Sequence, residues 1–247
     1  MDRLIYTAMS GAKHVLEQQA TVSHNLSNAS STGFRAQVDA FRAVPVVADS
    51  TLPTRAFVVD DTVGTDFTQG PSQQTGRPLD VAVQNAGWIA VQTADGSEAY
   101  TRNGGLTINQ NGQLQTPGGQ VVQGDNGPIA VPPDVNVAIA SDGTVGVITN
   151  DPQPGPSQVL GRIKLVNPPE SQLVRSDDGL FRMKDGSTAQ ADVNVKLTAG
   201  ALEGSNVNPV DAMVSMISLS RQFEMQMSLL KNAENNASKA TQILALS

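Results

Sequence analysis

The chain contains two histidines, His14 and His24, and histidine is the side chain best suited to metal binding and proton transfer near neutral pH. Both lie in a segment with helical periodicity. On a helix, a spacing of ten residues separates two side chains by about 80° around the axis and about 15 Å along it. The two histidines therefore cannot share a metal ion within one chain. We expect them to be solvated or to lie at an interface, and a Ser-His-Asp triad is not expected there.

Three short motifs resemble patterns from enzymes or binding loops, but each lacks its partners. Ser228–Lys231 fits S-x-x-K of penicillin-recognising enzymes, yet it lies in an amphipathic segment and the chain has neither S-D-N nor K-T-G. Gly118–Gln120 matches the tripeptide of peptide release, and Asp177–Gly179 lacks the alternating acids of a calcium loop. We interpret the first as coincidence and the others as turns. The sequence predicts no catalytic residue, no metal ligand and no cofactor site.

A periplasmic hydrolase or a sugar-binding module is one functional class that the sequence has to be tested against. Such a module needs a pocket with clustered aromatic side chains or paired carboxylates. The chain offers Trp88, Tyr100 and Phe181 scattered singly along the sequence, and no obvious acid pair. The sequence therefore favours a non-enzymatic protein.

The composition narrows the classes of partner. The net charge of −7 and the pI near 4.7 provide no basic field for nucleic acid or for an anionic membrane surface. With no cysteine, disulfides and thiolate metal ligands are excluded. No apolar run approaches the roughly 20 residues that cross a bilayer, and Met1–Tyr6 does not begin a signal peptide. We expect no membrane insertion and no cleaved leader.

The N-terminal segment has the periodicity of one helix, predicted over residues 4–28 and about 37 Å long. Small polar residues follow it, and we expect Asn25, Asn28 and Gly33 to terminate the helix. Its stripe steps alternately by three and four residues. The stripe consists of Ile5, Ala8, Ala12, Val15, Gln19, Val22 and Leu26.

The C-terminal segment predicts a helix over 209–245, about 55 Å long. Asn208 can cap it, Pro209 suits the first helical position, and Asp211 suits the first turn. Methionines on its stripe either fill the helix core or pack adaptably between subunits. The stripe consists of Met213, Met216, Ser220, Phe223, Met227, Leu230, Glu234, Ala237, Thr241 and Leu244.

Between the helices, strand-like runs alternate with turn dipeptides that supply positive φ angles. Residues 150–156 are predicted to be a loop, and residues 36–78, with four prolines, an irregular connector. The predicted strands are Leu79–Val83, Trp88–Thr93, Val121–Val122, Val135–Ala140, Gly161–Val166 and Asp192–Leu197. The predicted turns are Asp95-Gly96, Asn103-Gly104, Asn111-Gly112, Asp142-Gly143, Asp178-Gly179 and Asp185-Gly186.

These elements predict an α+β fold in which paired N- and C-terminal helices form a coiled-coil-like stalk and a mainly antiparallel β domain is inserted between them. The stalk comprises 1–35 and 204–247, the connector 36–78, and the β-rich body 79–203. Two helices have too little surface to cover both stripes, so we expect neighbouring subunits to complete them and the ends of a lone monomer to fray.

Five parts of the sequence carry a recognisable pattern: Asn25–Asn28 with Gly33-Phe34, Arg77–Val91, Tyr100–Gly104, Leu202–Asn208 and Met213–Met225. In their order and spacing, these segments resemble the flagellar rod and hook protein family. Within that family, Phe34–Gln37 and Phe41–Val46 are most similar to the proximal-rod members, and the distal-rod members are the alternative. Hook proteins carry large extra domains that this chain lacks.

The resemblance implies a structural subunit of the basal-body rod that transmits torque across the periplasm. It implies passage through the flagellar type III export apparatus without a cleaved leader, and polymerisation with copies of itself and with other rod proteins. The residues expected to make assembly contacts lie on the two stripes, where Val15→Asp or Met227→Asp should block incorporation. They are Ile5, Ala12, Val15, Leu26, Phe223, Met227 and Leu230.

Overall fold

The computed structural model describes residues 2–45, 56–133, 135–148 and 158–245, which belong to two compact units. The helical unit comprises the described residues within Met1–Ala29, Ala36–Asp66 and Val207–Ser247. The β unit comprises those within Ser30–Arg35 and Phe67–Asn206. The class is α+β, as predicted. The division differs from the predicted one: the described residues of 36–66 belong with the helices, and 30–35, 67–78 and 204–206 belong with the β unit.

Two long helices form the core of the helical unit: α1 spans Asp2–Ser27 and α2 spans Pro209–Ala245. The start of α2 is fixed as its sequence predicts. Asn208 Oδ1 accepts a hydrogen bond from the Val210 amide at 3.0 Å, and Asn208 Nδ2 donates to the Asp211 carboxylate at 2.7 Å. Neither helix is long and apolar enough, over its described residues, to cross a membrane.

Helix α1 packs against α2 and also contacts the strands of the same unit. Ile5, near the start of α1, shares a groove with Leu230, whereas Val22, near its end, shares one with Leu219. The start of α1 therefore faces the later part of α2, and the helices run antiparallel.

A two-stranded antiparallel ribbon completes the helical unit. Strand β1, Gln37–Pro45, pairs with β2, Ala56–Thr65, in a register that runs from Gln37↔Thr65 to Pro45↔Ala56 with one irregularity after Ala40. This regular pairing corrects the irregular connector predicted for 36–78. The four prolines misled the prediction: Pro45 ends β1, Pro71 and Pro78 lie outside strands, and Pro53 lies outside the described residues.

The β unit contains sixteen short strands in its described part. A 3₁₀ turn at Glu170–Gln172 precedes one of them. The loop predicted at 150–156 lies outside the described residues. The strands are β3 Ser72–Gln74, β4 Val81–Gln84, β5 Trp88–Gln92, β6 Glu98–Thr101, β7 Thr107–Ile108, β8 Leu114–Gln115, β9 Val121–Gly124, β10 Gly127–Pro128, β11 Asn136–Ile139, β12 Thr144–Ile148, β13 Val159–Arg162, β14 Leu165–Val166, β15 Leu173–Arg175, β16 Phe181–Met183, β17 Lys196–Ala199 and β18 Ala201–Glu203.

Every strand pair in the described residues is antiparallel. The main sheet has nine strands, in the order β15-β16-β6-β5-β9-β8-β7, with β14 also paired to β5 and β10 to β9. A three-stranded sheet has the order β11-β12-β13, and two strand pairs, β17-β4 and β18-β3, complete the unit. The many antiparallel strands are as predicted, whereas the long piece of the β unit runs over Phe67–Asn206 and not over 79–203.

Strand β5 is buried on both faces because successive side chains point to opposite sides of a strand. Ile89 and Val91 enter the larger apolar cluster, and Trp88 and Ala90 enter a smaller one. The smaller cluster brings together the aromatic residues that are scattered in the sequence: the rings of Trp88 and Phe181 lie 4.6 Å apart, and Tyr100 is fully buried beside them. These rings form a packed core, so none of the three offers a platform for a sugar.

Five of the six predicted turns have a glycine with positive φ, as expected. The exception is Asn103-Gly104. At Gly104 an added Cβ would lie 1.7 Å from the carbonyl oxygen of Val81, so close approach of two backbones, and not a tight hairpin, requires glycine there.

Replacing Gly104 by alanine should lower the free energy of unfolding by about 3 kcal/mol, because the methyl group forces the backbone at Val81 to move. Gly105→Ala is the matched control. Its nearest neighbour, Asn103 Oδ1, would lie 3.5 Å from the new Cβ, and the expected change stays below about 1 kcal/mol. Urea unfolding of the full chain measures both values, and equal stability of the two variants would contradict the assignment.

The buried hydroxyl of Tyr100 should make stability fall at high pH. Burial raises its pKa from 10.0 to about 12. Between these values the folded chain keeps a proton that the unfolded chain releases, so the contribution is complete below pH 10 and is lost as the pH rises to 12, by roughly 2 to 3 kcal/mol. The stability difference between wild type and Tyr100→Phe, measured by urea unfolding, should shrink over this range. A constant difference would show that this hydroxyl does not titrate with folding.

Candidate assembly surface

The apolar stripe of α1 lies where the sequence predicts, but it is covered within the chain. Ala8, Ala12 and Val15 are only 7–8% exposed, and the other four stripe residues are partly buried. The expectation that the two helices have too little surface to cover this stripe is therefore wrong for α1. The reason is that α2 packs along α1, and the ribbon contacts α1 as well.

On α2, the stripe that is covered in the structure shares every second position with the predicted stripe. At the other positions the covered residue lies one place earlier in the sequence. Met216, Phe223 and Leu230 are common to both stripes and are partly buried. Leu219 and Ala233 are buried in place of Ser220 and Glu234. The prediction placed Ser220 and Glu234 on the stripe although the residues before them, Leu219 and Ala233, are apolar. Those apolar residues were the sequence signal that could have identified the covered stripe. The covered stripe is Ala212, Met216, Leu219, Phe223, Gln226, Leu230 and Ala233.

Large apolar side chains are exposed on both helices, and we call this set the outer apolar surface. Each of its ten residues is between 47% and 65% exposed. Exposed apolar patches of this kind mark interaction sites in soluble proteins. The surface comprises Tyr6, Met9 and Leu16 of α1 with Val210, Met213, Val214, Ile217, Met225, Met227 and Leu229 of α2.

The expected assembly residues therefore fall into two groups. Met227 belongs to the outer apolar surface and is 47% exposed. Ala12 and Val15 are buried inside the helical unit, and Ile5, Leu26, Phe223 and Leu230 are partly buried. Val15→Asp would therefore disturb the packing of α1 within the subunit, so its effect on incorporation would not report a contact between subunits.

The residues expected to end α1 have three different roles. Asn28 fits the expectation, since its side-chain amide donates to the His24 carbonyl at 2.9 Å beyond the last helical residue. Asn25 instead binds the first residue of β1: its Nδ2 donates to the Gln37 carbonyl at 2.8 Å, and its Oδ1 accepts from the Gln37 amide at 2.9 Å. Gly33 belongs to the β unit, and an added Cβ there would lie 2.4 Å from the Arg102 backbone.

The residues considered for catalysis are not assembled into a site. His14 Nδ1 lies 2.9 Å from a Glu17 carboxylate oxygen, and its ring packs edge-on against Phe41. His24 is exposed near the end of the same helix. Ser228 and Lys231 are exposed on α2. Over the described parts of the chain, no three His, Cys, Asp or Glu side chains lie close enough to hold a metal ion. Gly118–Gln120 and Asp177–Gly179 are turns between strands, as predicted.

Sequence reasoning missed a buried ion cluster in the β unit. Arg35 Nη2 lies 2.6 Å from Glu203 Oε1, and Arg102 Nη1 lies 2.8 Å from Glu203 Oε2, with all three side chains at most 4% exposed. Arg102 also donates to the Asn85 carbonyl at 2.6 Å and lies over the Trp88 ring. No local spacing could reveal the cluster, because its members come from distant parts of the sequence.

Three family profiles match the chain. The profile described as "Flagella basal body rod protein" matches residues 5–35, which include most of α1. The "Flagellar hook protein FlgE/F/G D1 domain" matches 82–147 in the β unit. The "Flagellar basal body rod FlgEFG protein C-terminal" profile matches 198–243, which include most of α2.

Full-length relatives show the same similarity. The chain is 48% identical over 253 residues to the flagellar basal-body rod protein FlgF of Escherichia coli K12, and the alignment covers all of both chains. It is 32% identical to the FlgF of Caulobacter vibrioides, over 99% of this chain and 98% of the relative. To the rod protein FlgG of Bacillus subtilis it is 27% identical, over 95% and 96% of the two chains.

Proposed function

Because the chain belongs to the FlgF family of flagellar basal-body rod proteins, we propose that it polymerises through the outer apolar surface of its helical unit. Membership of this family makes the chain a structural subunit of the rod, located in the flagellar basal body. The observation that supports the proposal is the exposure of ten large apolar side chains on the two helices that contain the chain ends.

The size of the surface suits association with several neighbours. Covering one half-exposed apolar side chain contributes about 1 kcal/mol. Association costs roughly 4 to 15 kcal/mol in lost translational and rotational freedom, so stable assembly requires most of the ten residues together. Copies of this chain and other rod proteins, proximal and distal, are the partners that we propose.

The exposed methionines favour adaptable packing. Met213, Met225 and Met227 are between 47% and 59% exposed, whereas Met216 is partly buried on the covered stripe. An unbranched thioether side chain adjusts to unlike neighbours at low cost. We propose that α1 and α2 act as a coiled-coil-like stalk whose outer faces meet non-identical neighbours in the rod.

Torque transmission across the periplasm and delivery by the flagellar export apparatus are further parts of the proposal. The sequence contains no cysteine, so the chain can enter an oxidising compartment without forming disulfides. A rod subunit also has to stay folded under load, and the β unit supplies a continuous apolar core for this purpose.

Met227→Asp and Ile217→Asp should each reduce incorporation into basal bodies by more than about tenfold, because a carboxylate would be buried in an apolar contact. Gln222→Asp, an exposed polar position on the same helix, is the matched control. Incorporation is measured by complementing a strain that lacks the chain and counting hook–basal bodies by electron microscopy.

Circular dichroism of the purified variants should show unchanged helix content, which separates assembly from folding. Normal numbers of basal bodies with both Met227→Asp and Ile217→Asp would disprove the role of the outer apolar surface.

A further inference from the structure

The chain passes between the two units four times, after residues 29, 35, 66 and 206. The β unit is therefore built from two pieces of chain. A short piece, Ser30–Arg35, enters and leaves at once, and the long piece enters at Phe67 and leaves at Asn206. A unit with several chain ends can open at any one of them, so the contacts that hold these ends together decide how easily it opens.

One carboxylate oxygen of Glu203 binds two groups that lie near these ends, and the other binds a group in the interior of the unit. Oε1 pairs with Arg35, the last residue of the short piece, and accepts a hydrogen bond at 3.1 Å from the Gly70 amide, close to where the long piece enters. Oε2 pairs with Arg102 in the interior of the unit. Glu203 itself precedes the point where the long piece leaves.

Three hydrogen bonds to main-chain carbonyls connect the same ends. The Gly33 amide donates to the Glu203 carbonyl at 2.8 Å, and the Asn206 amide donates to the Phe34 carbonyl at 3.3 Å. Asn206 Nδ2 donates to the Thr68 carbonyl at 3.1 Å. These bonds join the short piece to both ends of the long piece, but they are individually modest, since a neutral hydrogen bond contributes about 1 kcal/mol.

Among the contacts that hold the chain ends together, the ion cluster is the one whose loss the hydrogen bonds cannot offset. Two guanidinium groups and one carboxylate give it a net charge of +1 in a region that is almost completely buried. Removing the carboxylate leaves two positive charges unpaired in the interior, and breaking a buried pair in this way is strongly destabilising. Burial already lowers the pKa of Arg102, and Glu203 opposes that shift.

We propose that Glu203 is a clamp residue that closes all the chain ends of the β unit at one point. With Glu203 in place, Ser30–Arg35 and the segment around Gly70 are held to the strand that leads into α2. If the subunit polymerises through its helical unit as proposed above, this clamp distributes a load that enters along one connection over the others.

Hydrogen exchange of the full-length monomer, followed by mass spectrometry, tests the clamp without requiring rod assembly. In Glu203→Gln, exchange should rise by about tenfold or more in peptides that report the Gly33 and Gly70 amides, while β5 and β6 keep their protection. Arg35→Met removes one guanidinium group and leaves Arg102 and Glu203 as an ion pair with no net charge. In that variant, exchange should rise only at the Gly33 amide.

Glu98→Gln is the control, because Glu98 pairs with Lys164 at 2.7 Å in another part of the same unit and its loss should leave both reporter peptides unchanged. Unchanged exchange at Gly33 and Gly70 in Glu203→Gln would overturn the proposal. An equal rise throughout β5 and β6 would also overturn it, since Glu203 would then be an ordinary core residue. If Glu203→Gln does not fold, Arg35→Met decides the question through the contrast between its two reporter amides.

Discussion

Covering the apolar stripe of α1 is the constraint on which the arrangement of the chain depends. A helix of 26 residues with Ala8, Ala12 and Val15 on one face is not stable alone in water, and most of its stability has to come from packing. The partner is α2, which the chain supplies from its other end. The chain between the helices therefore has to leave at the end of α1 and return nearby, at the start of α2. The β unit of short antiparallel strands is inserted between the end of α1 and the start of α2.

The sequence predicts the features that depend on local chemistry. Asn208, Pro209 and Asp211 define the start of α2, and the spacing of apolar residues identifies the covered face of α1. On α2 the two candidate stripes share Met216, Phe223 and Leu230, so periodicity alone does not separate them. Packing against α1 selects the more apolar of the two.

Features that depend on distant residues were not predictable from one sequence. Gly104 is required by the backbone of Val81, and no turn motif encodes such a close approach. The partners of Glu203 come from both ends of the β unit and from its interior. The exposed surface was predicted only in part: the expectation of exposed apolar residues at the chain ends is met by the outer faces of the helices, whereas the predicted stripe on α1 proves to be interior.

The pairing of Asn25 with Gln37 holds the helical unit together across a piece of chain that belongs to the β unit. The Asn25 amide group satisfies both the amide and the carbonyl of Gln37, as a neighbouring strand would, and so it fixes the start of β1 relative to the end of α1. A disturbance of Ser30–Arg35, whose last residue is buried in the ion cluster, would then leave the start of β1 in place beside the end of α1.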